Sequence, residues 1–228
     1  MATAALLPLL AACGGGSSSS TSPDTAASSP SQSQSSSASD VSCDYAPAPQ
    51  GAVGDPTPPP ATPTVSGEVH VAMRTSIGEI DATLDADTTP CTVGSFVSLA
   101  GQGFFDDTPC HRLTTSPAGL YVLQCGDPTG TGTGGPGYTV PDELSGAETY
   151  PAGTLAMART QAPDSGGSQF FIVYRDTRLS PKYTVFGTID RAGLAAVRTM
   201  AKQGSDDAFG QGDGHPKVTV TLESVTTD

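Results

Sequence analysis

From Glu68 onward the apolar residues come in runs too short for helices, and at first they alternate strictly. In "EVHVAMRT", Val69, Val71 and Met73 fall on one face; in "IGEIDATL", Ile80, Ala82 and Leu84 do the same. A period of two marks strands with one dry and one wet face, so these runs predict a hairpin turning near Ser76. The period changes in "TTPCTVGSFVSLAGQG". There Thr89 can cap a helix, Pro90 suits its first position, Val93, Phe96, Val97 and Ala100 share a face, and Gly101 can end it. A second helix fits "DRAGLAAVRTMAKQG", with Asp190 as cap, Leu194, Val197 and Ala201 inward, and Gly204 at its end. "KVTVTLESV" reads as a final strand with Val218, Val220 and Leu222 on one side, and "LYVLQC", "TLAMA", "QFFIVY" and "YTVFGTI" supply further short runs. Two helices among many short strands predict a mainly-β domain, a closed antiparallel barrel with helical caps.

What precedes this domain reads differently. Residues 14–66 combine a serine tract, "SSSSTSPDTAASSPSQSQSSSASD", with the proline-rich "DPTPPPATP". Such a segment has too few large apolar side chains to offset ordering entropy and is expected to be a disordered tether. Fifty residues of flexible chain span on the order of 40 Å. Residues 1–13, "MATAALLPLLAAC", form a short apolar run ending in Leu-Ala-Ala-Cys. This resembles a bacterial lipoprotein signal, which implies cleavage and lipidation at Cys13 and a domain anchored to the outer face of the cell membrane. The first basic residue is Arg74, so a start further upstream is expected to supply the positive flank of such a signal.

Residues 67–228 are long enough for one domain with a true core. They carry all ten Lys and Arg residues and nineteen of the 23 Asp and Glu, a net −9. A surface of that sign repels phosphate backbones, which excludes nucleic acid as a partner. Four further cysteines, Cys43, Cys91, Cys110 and Cys125, suggest disulfides in an exported chain. Sequence alone does not choose among three pairings. Cys110 and Cys125 flank an expected hairpin and can face each other, which leaves Cys43 for Cys91. With no CxxC pair and His70, His111 and His215 scattered, no metal site is expected.

Two tempting motifs carry little. Asp164-Ser165-Gly166-Gly167 has the order of a serine-protease nucleophile segment, but no histidine stands in a base-bearing context and no GxSxG elbow occurs. "GDPTGTGTGGPGY" lacks the GK[ST] ending of a phosphate loop and no helix pattern follows it. Its glycines suit a long ordered loop instead.

Taken in order, "CHRL", "YVLQCGDPTGTGTGGPGY", "LAMAR", "GGSQFFI" and "YTVFG" resemble the cyclophilins, a family of peptidyl-prolyl cis–trans isomerases. The resemblance covers residues 67–228 and implies an eight-stranded antiparallel barrel capped by two helices. It also implies catalytic roles for Arg112, Gln124 and Phe171. The substrate-binding set would be Tyr121, Val122, Ala158, Arg159, Gln169, Arg178, Leu179 and Tyr183. Four positions depart from the usual pattern: Tyr121 stands where Phe is usual, Val122 where Met is usual, Arg178 where Trp is common, and Tyr183 where His is common. His111 reads as a hydrogen-bonded structural neighbour of Arg112.

The residue types suit the chemistry. Resonance holds an X–Pro bond with a barrier of about 18–20 kcal/mol, and a donor to the prolyl nitrogen withdraws the lone pair that sustains it. Arginine stays charged and donates from a rigid plane, while apolar side chains can grip a proline ring. No cofactor is required. The expected partners are proline-containing segments of exported proteins, met by a monomer. Arg112, Arg159 and Arg178 are expected to border the groove, which would favour an acidic residue near the proline. The alternative reading is a peptide-binding or holdase module that keeps the fold with little turnover.

Overall fold

The alternation over residues 68–85 yields the hairpin it predicts. In the computed structural model, which describes residues 41–115 and 119–228, strand β1 (Glu68–Thr75) pairs antiparallel with β2 (Gly78–Asp85), Val71 opposite Ala82 and Met73 opposite Ile80. Helix α1 (Pro90–Gly101) follows, then β3 (Thr108–Pro109), β4 (Arg112–Thr114), β5 (Val122–Cys125), β6 (Thr154–Met157), β7 (Phe170–Val173) and β8 (Val185–Ile189). Helix α2 (Arg191–Ala201), β9 (Asp213–Gly214) and β10 (Thr221–Thr227) complete the chain.

The ten strands form one curled antiparallel sheet in the order β3-β10-β1-β2-β8-β6-β7-β5-β4-β9. The expected closed eight-stranded barrel is therefore corrected to an open, half-barrel sheet. No ladder joins its end strands, β3 and β9, among the described residues. Instead the chain itself crosses from one end of the sheet to the other, leaving β3 at Pro109 and entering β4 at Arg112. Both end strands are two residues long, too short to leave a periodic signal in the sequence.

The main core lies inside the curl. Phe96 of α1 stacks on Phe105 at 4.9 Å and meets Phe170 and Phe186 at 5.4 and 5.6 Å. All four rings are fully buried, each stabilising the fold by roughly 1.5–3 kcal/mol relative to exposure. Helix α2 starts as expected: the Asp190 carboxylate accepts from the amides of Ala192 and Gly193. Helix α1 does not. The Thr89 hydroxyl donates back to the Asp85 carbonyl, and the helix amides of Cys91 and Thr92 instead donate to Glu143, about fifty residues downstream. The last strand also differs, since it begins at Thr221 and leaves Val218 exposed. A bulge against β1 between Arg74 and Thr75 lets both Leu222 and Val225 face inward.

Both expected disulfides are present, Cys110–Cys125 across the β4–β5 hairpin and Cys43–Cys91. The second changes the picture of the segment before β1. Residues 41–66, expected to be part of the tether, lie against the domain as an arm. Bridges join Pro47 to Tyr138 and Ala52 to Gly135, and the Tyr45 hydroxyl donates to the Cys91 carbonyl at 2.8 Å. Backbone hydrogen bonds and one cross-link hold this segment, helped by the isolated apolar side chains of Tyr45 and Val65 against the core, and none of these needs a periodic apolar pattern. No helix among the described residues is long and apolar enough to cross a membrane. Cys13, the expected lipidation site, lies outside the described residues.

Candidate active site

Directly paired residues of neighbouring strands project to the same face of a sheet, and here that rule assembles the site. Arg112 of β4 pairs with Gln124 of β5, Gln124 with Phe171 of β7, Phe171 with Ala156 of β6, and Ala156 with Val185 of β8. One row of five residues thus crosses five strands on the face opposite the core. The adjacent row, Leu113, Leu123, Ile172, Leu155 and Gly187, faces the other way, and its four large side chains are almost wholly buried in the core.

Beside the row sits a second apolar cluster, separate from the main core. Val122, Tyr150, Ala156, Phe171 and Val173 form it, with Ala158, Leu179 and Tyr183 packed against them. Tyr183 stands edge-on to Phe171 at 5.4 Å and to Tyr150 at 6.2 Å. Tyr150 fixes this corner, because its hydroxyl donates to the Tyr183 carbonyl and accepts from the Tyr183 amide. Neither Tyr150 nor Ala156 was anticipated. Tyr150 lies in the irregular stretch "ETYPAG", where periodicity is silent.

Arg112 is half-exposed at the end of the row, and its guanidinium is fixed by Asp213 of β9. Nε donates to Oδ1 at 2.7 Å and Nη2 to Oδ2 at 2.6 Å. That hydrogen bond is the main cause raising the arginine's pKa above its ordinary value, so the charge is permanent. Asp213 was not anticipated either. It belongs to the glycine-rich "GQGDGH", 101 residues away.

Gln124 is oriented by a relay. Its amide donates to the Gln169 Oε1 at 2.8 Å, and the Gln169 amide donates to the carbonyls of Gly132 and Gly134, each at 3.0 Å. Those carbonyls belong to a loop organised around the fully buried Asp127. Burial alone would raise the Asp127 pKa. Hydrogen bonds from the Thr129 hydroxyl and the amides of Gly134, Thr129 and Gly132 outweigh it and hold the carboxyl below its usual range. Gly134 must be glycine, since a Cβ there would lie 2.0 Å from Asp127 Oδ1.

Several expected residues fall elsewhere. Tyr121 precedes β5 on the Leu123 side of the alternation. It packs against the main core and Tyr174, with the Arg175 guanidinium 4.4 Å above its ring, rather than in the second cluster. Arg159 lines a groove together with Gln124, Ala158 and Gln169, but its guanidinium is committed to structure, donating to the carbonyls of Lys182 and Ala162 and lying 3.6 Å from Asp142. Arg178 is exposed next to Leu179. Arg112 is paired with Asp213 and Arg159 is engaged, so of the three arginines expected to favour acidic peptides Arg178 alone is exposed. His111 is buried, and its Nδ1 has no hydrogen-bond partner among the described residues. Burial lowers its pKa and keeps it neutral near pH 7.

Among the described residues no group of three or more His, Cys, Asp or Glu side chains could hold a metal ion. The arrangement offers one fixed cation, one oriented amide and a small apolar floor, which suits binding and polarising a neutral amide rather than nucleophilic attack.

Residues 70–227 match the family model described as cyclophilin type peptidyl-prolyl cis-trans isomerase/CLD. Over 202 residues the chain is 50% identical to the probable peptidyl-prolyl cis-trans isomerase B of Mycobacterium tuberculosis, covering 82% of this chain and 64% of that one. It therefore spans a little under two thirds of that relative's length. The Bacillus subtilis peptidyl-prolyl cis-trans isomerase B is 42% identical over 125 residues, covering 54% of this chain and 83% of the other. Among solved structures, a cyclophilin type isomerase of Cryptosporidium parvum superposes with a TM-score of 0.61 at 26% identity, covering 71% of this chain and 98% of that one.

Proposed function

The chain belongs to the cyclophilin-type peptidyl-prolyl cis–trans isomerase family, and from that premise we propose that it isomerises X–Pro bonds at the row from Arg112 to Ala156. The observation that carries this reading is the row itself: Arg112, Gln124 and Phe171 are consecutive partners across three strands, beside an apolar cluster that includes Val122, Leu179 and Tyr183.

Turnover near 10³ per second requires a barrier of about 13 kcal/mol, against about 18–20 kcal/mol for the free bond. The site must therefore remove roughly 6 kcal/mol. Phe171, Val122, Leu179 and Tyr183 hold the proline ring. Arg112 then donates from Nη1, or from the remaining hydrogen on Nη2, to the prolyl nitrogen as the bond twists and its lone pair leaves resonance. One charged hydrogen bond contributes about 1.5–3 kcal/mol. The rest comes from immobilising one side of the bond away from water, with Gln124 binding a substrate carbonyl.

The proposed substrates are proline-containing segments of exported proteins, reached by a monomer tethered through a lipidated Cys13. Two disulfides in the domain and the Leu-Ala-Ala-Cys signal support an oxidising, extracytoplasmic setting. Mass spectrometry of the membrane-extracted protein tests the anchor; an unmodified Cys13 would remove it. For the activity, NMR exchange on an Ala-Pro peptide with the full chain and its Arg112→Ala variant is the test. Acceleration that collapses in the variant supports the mechanism. No acceleration by folded wild-type protein would leave a peptide-binding module.

A further inference from the structure

Gln124 and Ala158 also line a groove with a volume of about 810 Å³. Gln124, Gln169 and the backbone of the glycine-rich loop form one side of it; Ala48, Gln50 and Gly51 of the N-terminal arm form another. The arm lies outside residues 70–227, the stretch that matches the family model.

Its position is heavily determined. Thr139 donates to the Ala46 carbonyl, Ala48 to Gly137, Gly135 to Gly51 and Val53 to Gly135, all at 2.8–2.9 Å. The Cys43–Cys91 disulfide and the edge-on contact of Tyr45 with Tyr138 at 5.6 Å secure the arm's start. Gln102 exchanges two hydrogen bonds with the backbone of Thr57 near its end. Gly51 sits at a positive φ of 75°, and a Cβ there would lie 2.2 Å from the Thr133 carbonyl oxygen. The arm thus rests directly on the loop whose carbonyls hold Gln169 and, through it, Gln124. Arg159 is the one charged side chain lining this groove, and its guanidinium is already engaged.

We propose that residues 46–53 are a built-in specificity wall, so that a substrate residue flanking the proline meets Gln50 and glycine backbone and is selected for an uncharged polar side chain. The proposal rests on the isomerase reading above. Small residues leave room for a side chain, exposed peptide groups offer it both donors and acceptors, and nothing in the wall compensates a buried charge.

The test is NMR exchange with the full chain on two peptide series, varying the residue two positions before or two positions after the proline among Gln, Glu, Lys and Leu. Wild-type protein is expected to favour Gln in one series. Gln50→Glu should then raise the Lys-to-Glu ratio of kcat/KM about threefold in that series, and Gln50→Lys should lower it by a similar factor, as exposed charges do. Gln50 is exposed, so both variants are expected to fold, and a matching thermal midpoint checks this. Ratios unmoved by both variants in both series would overturn the proposal while leaving the isomerase intact. Wild-type protein inactive on every peptide would overturn the isomerase reading itself.

Discussion

Arg112 and Asp213 form a two-point ion pair, Nε to Oδ1 at 2.7 Å and Nη2 to Oδ2 at 2.6 Å, across the β4–β9 edge of the sheet. The pair takes two of the five guanidinium hydrogens and fixes the plane of the rest. In the proposed mechanism Asp213 is therefore a positioning residue: it orients the donor but does not touch the bond.

Asp213→Asn should lower kcat about tenfold, the factor that ~1.4 kcal/mol represents, with little change in KM. The pair is part-exposed, so its contribution to folding is small. Exchange rates at saturating and subsaturating peptide separate the two parameters. Arg112→Lys should cost more, because an ammonium cannot keep both bonds to Asp213 and still donate to the prolyl nitrogen.

Asp127→Asn should destabilise the domain by about 1–3 kcal/mol, the penalty for leaving buried donors without their acceptor. The carboxylate accepts from Thr129, Gly132 and Gly134, and an amide cannot replace both oxygens. A lower midpoint in urea unfolding checks this. Looser control of Gln124 should accompany it, visible as a weaker peptide affinity.

Acid should destabilise the protein in a window that opens near pH 6.5. Burial, assisted by the nearby Arg112 and opposed by Asp127, lowers the His111 pKa from its ordinary 6.5. The folded state thus resists a proton that the unfolded chain accepts. The stabilisation is complete above pH 6.5 and is lost as pH falls through the range down to the folded pKa. The thermal midpoint should drop between pH 7.5 and 5.5, and His111→Gln should flatten that drop.

Removing the Cys43–Cys91 cross-link by a double serine substitution should cost up to about 4 kcal/mol. That value follows from the chain entropy of the loop it closes, whose ends are 48 residues apart in sequence. Urea unfolding with and without the substitutions measures it. Loss of the arm's protection against proteolysis near Gly51 should follow.

Much of the fold was legible because it is local. The β1–β2 hairpin, the position of α1 and the Asp190 cap each follow from residues within a few positions of one another. The row from Arg112 to Phe171 falls on residues of the quoted motifs, and Val122, Leu179 and Tyr183 lie together in the apolar cluster beside it. Tyr121 lies outside that cluster, against the main core. A side chain's type says what it can do, whereas its neighbours decide what it does: Arg159 meets two carbonyls, and Tyr121 lies on the core side of a strand that alternates.

The sequence by itself determined the periodicities, the mainly-β class with two helices and the order of the motifs, and it left three pairings of the four cysteines open. These depend on short-range sterics and on which face of an element is apolar, both encoded within a few residues. Tertiary structure alone decided that the sheet stays open, that Glu143 caps α1, that Asp213 fixes Arg112 and that residues 41–66 lie on the domain rather than extend from it. Each of those contacts joins residues tens of positions apart through backbone groups or single charges, and such contacts leave no periodic trace in the chain.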